Sequence, residues 1–401
     1  MSYAITTVTA QLFILLLTLI TNKVAASSLS VSEYAIYGQA VLLSSLISAF
    51  STSGLQNCIL SDNIKERETI QVFVIFAFLI SLLLFFIIKV GFVAEYFLLD
   101  VEKYITPYLL ILLPFVYQMF VYKQASVINS NVRKNYILLN VGNSFLCSAF
   151  LILTISFEKF YLTFAFVLIR PGFLGFLMLV EYIEKVNFKK LIVRSKILFQ
   201  SSEVFGYLFY GIVSTSSFYI YSAIARFIIS EAYNLETVGY FYTAQRLFEL
   251  LLGFSLTYYS SYYFRYISKI NDSSALSFVV FRTCMLSLVV FILVSLFLLF
   301  FSEQVVLILF SKEQLPAIDF FEPLMINMTL GSLVYSIGFS LVAKARKSTI
   351  IMLEFLYLGA FIFFAILFDD EYIAWVFPLI MLVKLVCNLM VFYKVFYARE
   401  S

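Results

Sequence analysis

Apolar runs too continuous for a water-soluble core recur along the whole chain, and they decide what it can fold into. Val72–Ile88 is interrupted only by Ser81, and Leu286–Phe301 only by Ser287 and Ser295. Runs of this kind suit helices crossing a hydrocarbon core about 30 Å thick at about 1.5 Å rise per residue. The 401 residues are 62% hydrophobic and 13% charged, against roughly 45–50% and about 25% in a soluble domain. Barrel strands would alternate apolar and polar residues over about ten positions, and these runs do not alternate. The chain therefore reads as an all-α integral membrane protein. About twelve spans are predicted, at 4–26, 34–60, 70–90, 105–128, 134–156, 160–180, 204–230, 236–265, 276–301, 317–343, 349–368 and 372–397. Short polar connectors such as Ser61–Thr69, Ser302–Pro316 and Asp369–Glu371 join them, and none could fold as a domain. The first segment lacks a basic leader, and Ala25-Ala26-Ser27-Ser28 is only weakly cleavage-like, so Ala4–Ala26 is read as a retained helix.

Charge placement gives the orientation. With the N-terminus in the cytoplasm, most of the 27 Lys and Arg residues fall in cytoplasmic connectors. They include Lys65 and Arg67, Lys123, Arg133 and Lys134, the Lys185–Lys196 cluster, Arg265 and Lys269, Lys344, Arg346 and Lys347, and Lys394. The opposite side holds Lys23, Lys89, Lys103, Lys159 and Lys312, with acids such as Glu231, Glu236 and Asp369–Glu371. Both termini are therefore expected to be cytoplasmic.

The chain also resembles itself. Val132-Arg133-Lys134 matches Ala345-Arg346-Lys347, Glu158-Lys159-Phe160 matches Asp370-Glu371-Tyr372, and Tyr34-Ala35-Ile36-Tyr37 matches Gly239-Tyr240-Phe241-Tyr242. The offsets are 213, 212 and 205 residues, and the shared order argues for duplication of a six-helix unit. The organisation expected is an N-terminal lobe 1–180, a basic cytoplasmic connector 181–203 and a C-terminal lobe 204–401. An even-numbered repeat keeps both halves in one orientation, and two lobes around a central cavity is the design expected for alternating access.

Several function classes drop out. Histidine is absent, which removes the commonest metal ligand and general base. Cys58, Cys147, Cys284 and Cys387 show no CxxC spacing and read as small buried hydrophobes, so no metal site is expected. A net charge of +3 is too small to imply a nucleic-acid partner. A glycan polymerase or ligase would need a large periplasmic loop with catalytic residues, which the short outer connectors do not provide. No enzyme activity and no cofactor are expected.

Two segments carry a family resemblance. Ile224-Ala225-Arg226-Phe227-Ile228-Ile229 is followed by Leu235-Glu236-Thr237-Val238-Gly239-Tyr240-Phe241-Tyr242-Thr243-Ala244-Gln245-Arg246-Leu247. Together they resemble the "DRF-I-L", short loop, "VG-Y-A-RL" pattern of the O-antigen and polysaccharide repeat-unit flippases. Ser32–Gly38 through Ser53-Gly54-Leu55 is similar to the "EYG…GL" opening of that family's second helix. The superfamily also holds the multidrug-and-toxin extruders and the lipid II flippases, the latter with two additional helices. One departure stands out: Ala225 occupies a position where many relatives carry an acid. The resemblance implies a MATE/MOP-like fold in the bacterial inner membrane. It further implies flipping of undecaprenyl-diphosphate-linked oligosaccharide between leaflets, with membrane lipids and the polymerase and chain-length machinery as partners. H+ or Na+ would be the coupling ion of such a transporter.

A diphosphate carrier needs cations inside the membrane, where each costs about 2.5–3.5 kcal/mol on insertion scales. Among the charged residues within predicted spans six stand out: Arg170, Arg226, Arg246, Glu249, Glu354 and Lys384. Four cations against two acids suit an anionic substrate better than a cationic drug, which makes a cation-coupled multidrug exporter the runner-up. Arg246 lies about ten residues, roughly 15 Å, into its helix, and in relatives that helix lines the cavity. Its alternative reading is a plain ion pair with Glu249, one turn on. Arg226 is either a substrate contact or a snorkelling interfacial cation. Lys384 is a glycan or phosphate contact that Glu354 could pair with, or Glu354 is itself a coupling carboxylate. Further candidates are Arg170, beside a predicted kink at Pro171-Gly172, and Lys65 and Arg67 at the cytoplasmic mouth. The tyrosines Tyr258, Tyr259, Tyr262 and Tyr263 are read as chiefly lipid-facing or interfacial.

Overall fold

In the computed structural model the described residues are 2–52, 77–83, 107–129, 133–176, 202–259, 263–270, 272–344, 347–368 and 372–396. Lys65, Arg67, Cys58, Tyr262, Asp369–Glu371 and nearly all of the 181–203 connector lie outside them. Every described residue in a regular element is helical, and each predicted span contains helix wherever it is described.

The chain divides into two compact units, Met1–Phe227 and Ile228–Ser401. The first holds α1 (Ser2–Ser28), α2 (Val31–Thr52), a helical stretch 77–83, α3 (Pro107–Asn129), α4 (Arg133–Ser156) and α5 (Phe160–Ile169). A 3₁₀ turn at Arg170–Gly172 follows, and then α6 (Ser202–Ala232), which runs on past the division. Within this unit α1 packs along α4, and α2 packs against α3 and α5. The second unit holds α7 (Leu235–Tyr258), the short α8 (Phe264–Ser268), α9 (Ser273–Phe300) and α10 (Ser302–Leu309). A 3₁₀ segment Lys312–Phe320 leads to α11 (Phe321–Lys344), α12 (Lys347–Leu367) and α13 (Ile373–Phe396). Here α11 is the central helix, packed on α9 and α13 and on α7.

Local signals explain the helix starts. Before α2, Ser30 and Glu33 form a reciprocal capping box: the Ser30 N–H donates to Glu33 Oε2 at 2.9 Å and the Glu33 N–H to Ser30 Oγ at 3.3 Å. Asn234 caps α7 by accepting from the Thr237 N–H at 2.8 Å, and Asp272 caps α9 through Ser274 and Ala275.

Six described segments are long and apolar enough to cross a membrane: Val31–Thr52, Ile137–Ser156, Ser273–Phe300, Lys312–Val342, Ser348–Leu367 and Ile373–Val395. Shorter apolar helices, Leu12–Ser28 and Phe160–Phe176, accompany them. The outward faces match a lipid solvent. Phe278, Phe281, Leu286, Leu293 and Phe300 on α9 are all exposed, as are Met352, Phe363 and Ile366 on α12. An apolar surface this extensive would aggregate in water. Hydroxyls inside the spans are satisfied by the carbonyl one turn back: Thr18 by Ile14, Thr21 by Leu17, Thr243 by Gly239 and Thr329 by Met325. The chain is thus a multi-pass membrane protein.

Three details differ from the sequence reading. The connector expected at Ser302–Pro316 is ordered as α10 and the 3₁₀ segment, because Val306, Phe310, Gln314 and Ala317 are all buried. The helix behind it accordingly starts at Phe321. Tyr259 and Tyr263 are core residues, 1% and 2% exposed, while Tyr258 faces outward. Their burial follows from α11, where Ser332, Ser336 and Ser340 recur every four residues and let an aromatic ring approach the backbone. The Tyr263 hydroxyl donates to the Ser336 carbonyl at 3.1 Å, and Ser336 Oγ donates to the Tyr259 hydroxyl at 2.7 Å.

The kink expected at Pro171 is present, as a 3₁₀ turn. Proline has no N–H to give the ladder, and the surrounding helices supply what is missing. The Leu168 carbonyl accepts from the Tyr117 hydroxyl and, at 3.3 Å, from Ser44 Oγ. The Asn143 side-chain amide bridges the break: its Nδ2 donates to the Arg170 carbonyl at 3.0 Å and its Oδ1 accepts from the Leu174 N–H at 2.9 Å. The strand of chain beyond the break lies hard against α3, since a Cβ added to Gly175 would fall 2.1 Å from the Val116 carbonyl oxygen. Gly142, in contrast, has no atom within 4 Å of such a Cβ.

These two glycines give a paired prediction. Gly175→Ala is expected to destabilise by about 1–3 kcal/mol or more through overpacking against fixed backbone. Gly142→Ala is expected to be neutral or to gain up to about 1 kcal/mol of helix propensity. Thermal unfolding of the two purified variants beside the parent chain checks both. Equal midpoints for the two variants would contradict the close approach at Val116.

Candidate functional site

The charged residues within the spans fall into two environments. In the second unit Arg246 and Lys384 each meet a carboxylate. Arg246 sits in the fourth turn of α7, and its Nη1 donates to Glu249 Oε2 at 3.1 Å. The spacing of three residues places both side chains on one face of the helix. Their side chains keep 15% and 20% of their surface exposed, so the pair is neither fully desolvated nor at an open surface. Lys384 on α13 donates to Glu354 on α12, also at 3.1 Å, with 12% and 15% exposure. The Lys384 ammonium also stands 4.9 Å from the ring centre of Tyr357, one turn along α12 from Glu354. Tyr357 in turn donates to Asn388 Oδ1 at 2.9 Å, so the pair belongs to a buried polar group spanning two helices.

In the first unit the cations meet neutral groups. Arg226 on α6 is 2% exposed; its Nη1 donates to the Gly38 carbonyl at 2.9 Å and to Gln39 Oε1 at 3.4 Å. The snorkelling reading of Arg226 is therefore wrong. Arg170 lies at the helix break, half-buried, with Nη2 donating to Thr18 Oγ1 at 2.8 Å. The structure thus brings together Arg246 with Glu249 and Lys384 with Glu354, and places Arg226 and Arg170 on separate sets of partners. Lys65 and Arg67 lie outside the described residues.

Sequence reasoning passed over the neutral polar residues. Asn143 bridges the break, Gln39 receives Arg226, and Gln314 Oε1 accepts from Thr243 Oγ1 at 2.8 Å. Asn22 is 1% exposed, on the face of α1 that carries Thr18. The available signal was an amide within an otherwise apolar helix, a costly choice unless a partner waits. Among the described residues no group of three His, Cys, Asp or Glu side chains could hold a metal.

Solved structures share this fold. The lipid II flippase MurJ in an inward closed conformation matches with a TM-score of 0.67 at 13% identity, over 98% of this chain and 89% of that one. An inward-facing multidrug resistance MATE family transporter of the MOP superfamily matches at 0.61 and 12% identity, over 97% and 98% of the two chains. A mutant of the Vibrio cholerae MATE transporter VcmN matches at 0.59 and 11% identity, over 98% and 95%. The chain therefore has the all-α fold of the MATE and MurJ transporters. No protein-family model and no curated protein matches it.

The α12–α13 pair makes a stability prediction. Lys384→Met leaves Glu354 mostly buried without its cation and is expected to cost about 3 kcal/mol. Adding Glu354→Leu removes the stranded charge and is expected to restore most of that loss. The measurement is thermal unfolding of single and double variants in detergent. A double variant as unstable as the single one would mean that the pair does not hold these helices.

Proposed function

We propose that the chain is a flippase that moves undecaprenyl-diphosphate-linked oligosaccharide from the cytoplasmic to the periplasmic leaflet of the bacterial inner membrane by alternating access. The observation that carries this reading is a fold shared, over 98% of the chain, with a lipid flippase, combined with an excess of cations within the spans. The lobes 1–180 and 204–401 would be the moving halves and the 181–203 segment their cytoplasmic joint.

In this reading Arg246 binds the diphosphate. Its bond to Glu249 joins neighbours on one helix, both still 15–20% exposed, so a dianionic head group that reaches the pair can displace the carboxylate. Arg226 and Lys384 are the supporting cations, with Arg170, Lys65 and Arg67 as lesser contacts. Glu249 and Glu354 are the carboxylates available to H+ or Na+ coupling, since each is released when its cation turns to substrate. A transporter of this kind performs no covalent chemistry and needs no cofactor. The polymerase and chain-length proteins of the same glycan pathway would be its working partners.

The runner-up is a cation-coupled multidrug exporter, favoured by the same fold in the MATE structures. It is the weaker reading because both deep carboxylates, Glu249 and Glu354, are bonded to cations of their own unit. A cationic drug would have to compete with a tethered arginine or lysine.

The test is complementation of a strain lacking its own O-antigen flippase, in the native glycan background, with the parent chain and Arg246→Ala at matched membrane expression. Restoration by the parent and loss of surface glycan by at least about tenfold in the variant, the effect of one lost charge-assisted contact, is the expected result. Rescue unchanged by the substitution would remove Arg246 from the site. Absence of rescue by the parent, with resistance to lipophilic cations instead, would establish the exporter.

A further inference from the structure

Among the described residues no acid is bonded to Arg170. Of the helices around it in the first unit, α1, α3, α4 and α5 contain no Asp or Glu, and the one acid of α2, Glu33 in its first turn, is bonded to Ser30. Among the described residues no carboxylate touches its guanidinium, whereas Arg246 and Lys384 each hold one at 3.1 Å. A fixed guanidinium in a membrane-spanning bundle is costly unless something neutralises it. Thr18 does not: its hydroxyl proton is donated to the Ile14 carbonyl at 2.9 Å, so it offers Arg170 only a neutral acceptor.

A second, independent defect lies beside the first. Asn22 follows Thr18 by one turn on the same face of α1, about 5–6 Å away between Cβ atoms. It is 1% exposed, and neither its Oδ1 nor its Nδ2 has a hydrogen-bond partner among the described residues. Buried amides are almost always satisfied, and exceptions mark an unplaced water or ion. A guanidinium without a counter-charge and an amide without a partner are satisfied together by one occupant. An anion accepts from both the guanidinium and Asn22 Nδ2, and a water accompanying it donates to Asn22 Oδ1.

We propose that α1 and the helix break at Arg170 form a site for a small monovalent anion of the chloride class, held by Arg170 and Asn22. The charge balance selects valence. Arg170 is the one cation of the cluster, and the other deep cation of the first unit, Arg226, is bonded to Gly38 and Gln39. A phosphate dianion would leave uncompensated negative charge in a buried place. The site is structural in its first effect: the anion ties α1 to the segment whose backbone Asn143 bridges, and so braces the break in the first unit. This role replaces the lesser substrate contact proposed above for Arg170, and its test does not depend on what the protein transports.

The experiment is thermal unfolding of the purified full chain in a non-ionic detergent, titrated with sodium chloride against sodium gluconate at constant ionic strength. Chloride is expected to raise the midpoint saturably, and bromide to do the same. Arg170→Gln abolishes the difference between anions, and Asn22→Leu, which keeps the guanidinium, weakens the apparent affinity about tenfold, as for one lost charge-assisted hydrogen bond. Identical midpoints in chloride and gluconate overturn the proposal, as does a chloride shift that survives Arg170→Gln. Should Arg170→Gln not fold, an undiminished chloride shift in Asn22→Leu overturns it instead. A larger saturable shift with phosphate than with chloride overturns the assignment of a monovalent ligand.

Discussion

A hydrocarbon solvent supplies no hydrogen bonds, so any interruption of a spanning helix has to be repaired by its neighbours. In the first unit that requirement gathers at Arg170–Gly172. Pro171 withdraws a donor, and three side chains from three helices make good the local deficit: Tyr117 of α3 and Ser44 of α2 at the Leu168 carbonyl, and Asn143 of α4 across Arg170 and Leu174. Arg170 adds α1 through Thr18. Gly172 and Gly175 are required by the same geometry, because α3 passes where their side chains would be. One proline thus accounts for the positions of two glycines, an asparagine, a serine and a tyrosine that the apolar pattern alone leaves unexplained.

The spanning helices were legible from the sequence because lipid imposes a one-dimensional demand, a run of apolar residues long enough to cross. Pairing of Arg246 with Glu249 was equally legible, being a matter of helical spacing. Lys384 with Glu354 could be suggested only because two buried charges on consecutive helices seek each other. Arg226 shows where such reading stops. Its place near a helix end suggested a side chain reaching for the interface, yet its acceptor is a backbone carbonyl 188 residues away. Nothing local marks Gly38 as that acceptor. Tyr259 and Tyr263 were misread for a related reason: belt statistics describe tyrosines on average, whereas the small-residue face of α11 creates one specific place for two of them.

Charge is handled differently in the two units, and the difference bears on mechanism. In the second unit Arg246 and Lys384 each have a carboxylate at 3.1 Å, and both pairs retain some exposure. The cost of separating such a pair is set by how much water reaches its members. In the first unit Arg226 is drawn to a carbonyl and an amide under almost complete burial. These two acceptors are neutral and, unlike the carboxylates of the second unit, carry no charge to exchange. A device that senses ions would therefore be built from Glu249 and Glu354, and a device that holds geometry from Gly38, Gln39 and Asn143.

That division also weighs on the choice between substrate classes. An exporter of lipophilic cations has to present negative charge to its cargo, and the deep carboxylates here already face lysine or arginine. A carrier of an anionic head group needs the reverse, cations that are restrained but releasable. Arg246 meets that description more closely than Arg226, because its partner is a carboxylate on the same helix, three residues on, which can swing aside without moving the backbone. To free Arg226, the Gly38 carbonyl and α6 would have to part, and that calls for helix motion rather than side-chain rotation. Under the proposed function the same positive charge would serve exchange at Arg246 and anchoring at Arg226, and the partner would decide which.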